Sequence, residues 1–129
     1  ATDYKKSLED ANMKKIAILR CLKTSASCAG AKCLRVMYDR EKNFAQYGEE
    51  ELRLMAMWTC NGCEGSMLEN QEGIAKKINR MKELQLDVLH LSSCTRKKDA
   101  SGEKHLCPTI KAIADELAAS GIKIVQGTH

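Results

Sequence analysis

Four short apolar runs alternate with three stretches of helical period, and this alternation leaves few folds open. Residues 15–20, 52–58, 86–91 and 122–125 are each too short for a buried helix and suit strands covered on both faces. Between them, residues 29–40 carry Leu34, Met37 and Tyr38 at helical spacing, and residues 66–84 carry Ile74, Ile78 and Met81. Ser66 is the expected cap of that second helix, with Gly73 weakening its first half, so that a later start or a bend there is the alternative. The third helix has Pro108 at its first position, one apolar face of Ile110, Ile113, Ala114, Leu117 and Ala118, and Gly121 as its stop.

Strands separated by helices pair in parallel, because a crossover helix returns the chain to the same end of the sheet. The expected fold is therefore α/β. It is a single-domain parallel sheet of about four strands flanked by helices, a three-layer sandwich of flavodoxin-like or Rossmann-like kind. The domain is expected over residues 13–129, with 1–12 as an N-terminal extension. Phe44 and Tyr47 are expected to fold the charged connection at 39–51 back onto the core. Residues 94–104 read as a polar loop. At 129 residues the chain can bury a core without staples.

The 7 cysteines fall where expected strands end or helices begin. Cys21 closes the first strand, Cys60 and Cys63 follow the second, Cys94 follows the third, and Cys107 precedes Pro108. In a parallel sheet these points share the carboxyl edge, where α/β sites form. An odd count cannot be fully paired within the chain. No signal-peptide pattern and no apolar run of membrane-spanning length is present, so a cytoplasmic, reducing compartment is expected. There cysteine spacing points to metal or redox chemistry rather than to a disulfide framework.

Cys60-Asn61-Gly62-Cys63 is the sharpest local signal. Two intervening residues let both sulfurs face one ion or each other, and Asn61 and Gly62 permit a tight turn. Cys107 stands at a helix N-terminus, which favours negative charge. Cys28 and Cys33 cooperate only if Cys28 lies in the loop and Cys33 in the first helical turn. Cys33 reads equally well as a small buried hydrophobe. His105 and His129 are expected at the same edge and are ligand candidates, whereas His90, inside a strand, reads as a satisfied core histidine. Glu64 reads as a solvated carboxylate. The basic run Arg96-Lys97-Lys98 lacks interleaved aromatics and reads as a solvated loop, so no nucleic-acid partner is expected.

Several of these features together resemble the CGGC-domain family. They are Ile16-Ala17-Ile18-Leu19-Arg20-Cys21, Cys28 with Cys33, Phe44 with Tyr47-Gly48, Thr59-Cys60-Asn61-Gly62-Cys63, His90-Leu91-Ser92-Ser93-Cys94, Cys107-Pro108 and Gly127-Thr128-His129. The resemblance runs from about Lys14 to His129, and it implies a cysteine- and histidine-rich, metal-binding site with no settled activity. Asn61 stands where the family name expects glycine.

The leading expectation is a thiolate metal centre on the carboxyl edge, an iron–sulfur cluster in preference to Zn2+. Seven thiols exceed the needs of one zinc, and the chain has apolar residues enough to fold without a structural metal. Cys60, Cys63, Cys94 and Cys107 are the first-choice ligands, with Cys21, Cys28, Cys33, His105 and His129 behind them. Such a centre would serve binding, sensing or electron transfer with a metal donor, acceptor or redox partner. The alternative is a thiol–disulfide or sulfur-transfer enzyme using Cys60 and Cys63. A partner-binding module with structural cysteines is third. The sequence leaves oligomeric state open.

Overall fold

The computed structural model describes residues 13–21, 27–60, 70–98 and 100–128. Its main sheet has four parallel strands in the order β2-β1-β3-β6. These are β1 (Met13–Arg20), β2 (Glu51–Thr59), β3 (Val88–Leu91) and β6 (Lys123–Gln126). Helices α1 (Ala31–Asp39), α2 (Gln71–Glu83) and α3 (Pro108–Ala119) supply the crossovers, and a 3-10 turn (Lys42–Tyr47) follows α1. The three-layer α/β sandwich expected from the alternation of periods is the fold observed.

The layers follow from the pleat. Ile16 and Ile18 point to one face, where they pack with Val88, Val36, Met37 and Phe44 from β3, α1 and the 3-10 turn. Ala17 and Leu19 point to the other, against Ile74, Ile78, Ile110 and Leu117 of α2 and α3. Phe44 and Tyr47 are buried, so the connection after α1 does fold back as expected. The α1 stripe is rotated from the expected one. Cys33, Val36 and Met37 are its buried residues, and Tyr38 is 76 % exposed, because the helix presents its i, i+3, i+4 face starting at Cys33.

A bulge in β2 decides which way its end faces. The β1–β2 register shifts between Ile16 and Ala17, whose partners are Leu54 and Ala56, so Met55 is an extra residue. Leu52 and Leu54 pack on the α1 side, whereas Trp58 and Cys60 pack on the α2–α3 side. An unbroken period of two would put Leu54, Trp58 and Cys60 on one face.

Two expectations change. Helix α2 begins at Gln71, with Asn70 as its cap. The Asn70 side chain accepts from the Gly73 amide at 2.8 Å, and a Cβ at position 73 would lie 2.8 Å from the Asn70 side-chain nitrogen. The expected start at Ser66 lies outside the described residues, as do Cys63, Asn61, Gly62, Glu64, residues 1–12 and His129. The stretch read as a polar loop after Cys94 holds an antiparallel ribbon, β4 (Arg96–Lys98) with β5 (Lys104–Leu106). Its charged composition hid it, because a small surface ribbon needs no apolar face of its own.

Candidate thiol site at the carboxyl edge

Strand register builds this site. Arg20 pairs with Thr59 and Leu19 with Leu91, so Cys21 and Cys60 follow level positions on neighbouring strands, and β3 ends beside them. The chain leaves β3 through Ser92, whose amide donates to the Leu19 carbonyl at 2.9 Å. Cys94 then comes back over the end of β1. The Cys21 amide donates to Cys94 Sγ at 3.3 Å, across a sequence separation of 73 residues.

A chain of polar contacts runs inward from that sulfur. Cys94 Sγ lies 3.4 Å from Ser92 Oγ, and Ser92 Oγ lies 3.4 Å from Cys33 Sγ. Cys33 Sγ also lies 3.2 Å from Thr128 Oγ1. Cys33, Ser92 and Thr128 are buried. Cys33 is in the first turn of α1, as cooperation with the edge required, but hydroxyls rather than other thiols are its hydrogen-bond partners.

The closing segment is held by a buried aromatic network. His90 is 0 % exposed in the middle of the sheet. Its ring stacks on Phe44 with centroids 4.3 Å apart. Nδ1 faces the Gly127 carbonyl at 3.1 Å, so it carries the proton and donates. Nε2 must then accept, and Tyr47 Oη donates to it at 2.6 Å. Burial pulls the His90 pKa down, which keeps the ring neutral. Burial, helped by Glu50, pushes Tyr47 up to about 12. His90 is thus the satisfied core histidine expected, and its role is to anchor Gly127 so that Thr128 reaches Cys33.

The remaining cysteines differ in setting. Cys60 is 1 % exposed and packs in the apolar layer under α2, where Lys77 Nζ donates to the Thr59 carbonyl at 2.8 Å. Burial lowers the Lys77 pKa, and the neighbouring Cys60 opposes that. Cys60 and Cys33 therefore belong to opposite layers of the sandwich. Cys107 caps α3 with its backbone, and its amide donates to the Thr95 carbonyl at 3.0 Å, tying it to the residue after Cys94. Cys28 is exposed in the loop before α1. The Gly30 amide, with Arg20 adding to it, holds the Cys28 pKa below the ordinary thiol value. The Arg20 guanidinium also donates to the Cys28 carbonyl. His105 lies on β5, 58 % exposed, with Nε2 3.9 Å from a Glu103 carboxylate oxygen.

Sequence reasoning places Ser92, Thr128 and Tyr47 only in the family pattern or, for Tyr47, also in the core, and it does not foresee their hydrogen bonds to Cys33 and His90. The cue available was two adjacent serines directly after a buried strand, where an unpaired hydroxyl would be costly.

The donor type suits a thiophilic metal: soft sulfurs, one of them receiving a backbone N–H. Among the described residues, however, no three or more His, Cys, Asp or Glu side chains gather closely enough to hold an ion.

A family model described as CGGC domain matches residues 15–129. Comparison with curated proteins and with solved structures gave no match. No helix among the described residues is long and apolar enough to cross a membrane.

Proposed function

This chain belongs to the CGGC-domain family, and from that premise we propose that it binds a thiophilic metal centre at the carboxyl edge of its sheet. The observation that carries this reading is the Cys21 amide on Cys94 Sγ, which brings two cysteines from remote parts of the chain to one strand end. Cys60 ends the adjoining strand at the level of Cys21. Cys63, three residues after Cys60 in the sequence, is the proposed further donor. The proposed ligands are Cys21 and Cys94 together with Cys63, while Cys60 packs in the apolar layer and Cys107 adjoins through Thr95. An iron–sulfur cluster is favoured over zinc, because two packed apolar layers already hold the fold together without a structural metal. Such a cluster, when bound, supplies one-electron chemistry or a metal-status signal. The chain's part is to present the thiols, and to donate the Cys21 amide to a ligating sulfur.

The alternative, a thiol–disulfide or sulfur-transfer catalyst built on Cys60 and Cys63, draws less support. Cys60 lies in the apolar layer, closed to an incoming disulfide.

Purification without oxygen, followed by iron, sulfide and zinc analysis and an absorption spectrum, tests the proposal. Iron with equimolar sulfide and a visible charge-transfer band is expected, falling to background in Cys21→Ser and Cys94→Ser. Full zinc occupancy without sulfide removes the cluster version. No metal under any reconstitution removes the proposal.

A further inference from the structure

The geometry points to a small-oxyanion site beside the thiols, in a cavity of about 200 Å3 lined by Asn43, Ser93, Arg96, Lys104, Gln126 and Gly127. It lies at the carboxyl ends of β3 and β6, roofed by the β4–β5 ribbon, on the edge where α/β proteins bind ligands. This inference does not depend on the metal proposal.

Among the described residues the lining has two cations and no carboxylate. Arg96 pairs with Leu106 in the ribbon, and Lys104 lies two residues from Leu106 on the same strand, so both cations share one ribbon face. The only carboxylate next to Lys104 in sequence, Glu103, is within 3.9 Å of His105, which points to the opposite ribbon face. Among the described residues neither Arg96 nor Lys104 has an acidic partner. The Arg96 guanidinium is tethered by one contact, to the Lys104 carbonyl at 3.3 Å, which leaves further N–H groups of its planar fork to bind a ligand.

The floor of the cavity depends on a glycine. Gly127 has φ 100°, and a Cβ there would sit 2.8 Å from Asn43 Nδ2 and 3.9 Å from Ser93 Oγ. Its backbone is fixed by its amide on the Leu91 carbonyl at 2.6 Å and by His90 on its own carbonyl. Two cations, a hydroxyl and two side-chain amides around a space of this size match a tetrahedral oxyanion. The space is below the roughly 300–1,000 Å3 of pockets that enclose drug-sized molecules. The ligand class is a phosphate- or sulfate-like ion, free or as the end group of a small metabolite. The run Arg96-Lys97-Lys98, read from sequence as a solvated loop, contributes Arg96 to the site.

The test is an amide NMR titration of the reduced full chain with inorganic phosphate and, separately, O-phosphoserine, sodium chloride being adjusted to hold ionic strength constant. Saturable shifts centred on Ser93, Arg96, Lys104, Gln126 and Gly127 are expected. Arg96→Gln and Lys104→Gln, both at exposed positions, are each expected to weaken binding about tenfold. Lys76→Gln on α2, paired there with Glu72, is expected to leave it unchanged. Saturation by either probe upholds the site and tells a free ion from an end group. Saturation by neither, shifts spread evenly over the basic residues, or unchanged binding in both Arg96→Gln and Lys104→Gln overturns it.

Discussion

Replacing Tyr47 by Phe removes one hydroxyl from a buried polar contact, 2.6 Å to His90 Nε2, and keeps the ring that packs beside Phe44. The proton count around His90 sets the consequence. Nδ1 must donate to the Gly127 carbonyl, so Nε2 can only accept, and Tyr47 is its donor. In Tyr47→Phe that acceptor is orphaned at a site with 0 % exposure. Stranding a buried polar group costs about 1–3 kcal/mol. Unfolding entropy of about 2.1 cal/mol/K per residue gives about 0.27 kcal/mol/K for 129 residues, so a 2 kcal/mol loss lowers Tm by about 7 °C. Urea and thermal denaturation at neutral pH, reduced and with chelator, measure it. Alkaline pH supplies a second readout. The native Tyr47 pKa stands at about 12 against an ordinary 10, so the unfolded tyrosine ionises first as pH rises. Stability from this group is complete below about pH 10 and is lost up to about pH 12, at most about 2.7 kcal/mol. The gap between wild type and Tyr47→Phe therefore narrows over that range. A neutral-pH difference under about 0.5 kcal/mol, with a gap that does not change with pH, refutes the donor assignment.

His90 makes a complementary prediction in acid. Its folded pKa is lowered by burial, so the unfolded state takes up the proton first, and stability falls as pH drops below about 6.5. An NMR titration showing the His90 ring protonating at or above its ordinary value contradicts this. Cys28 is expected to alkylate fastest of the described cysteines in metal-free protein, being exposed and held toward the thiolate by the Gly30 amide and Arg20. Peptide mapping that finds Cys33 or Cys60 modified before it would remove that ranking. Asn70→Ala deletes the α2 cap on the Gly73 amide and is expected to cost about 1 kcal/mol in urea unfolding. An unchanged midpoint would mean that water replaces the cap.

Particular elements show what could be read in advance. Helix α3 carries Pro108 at its start and Gly121 at its stop, and both sit where the chain needs them. The strands after which Cys21, Cys60 and Cys94 fall were legible from short apolar runs, which only a doubly covered sheet can bury. The β4–β5 ribbon was not, since charged residues pair as strands only when a neighbouring loop supplies the partner. Nor was the outward turn of Tyr38, because several faces of α1 carry apolar side chains and packing alone chooses among them.

The site divides in the same way. That cysteines end strands follows from sequence, because strand ends are marked by where apolar runs stop. Which sulfur meets which group does not. The bulge at Met55 sends Cys60 into the α2–α3 layer, and the return of the chain after Ser92 brings Cys94 onto the Cys21 amide. Apolar period is a local property, carried by neighbours in the chain. Side-chain facing at a strand end depends on register with another strand, and register exists only once the sheet has formed.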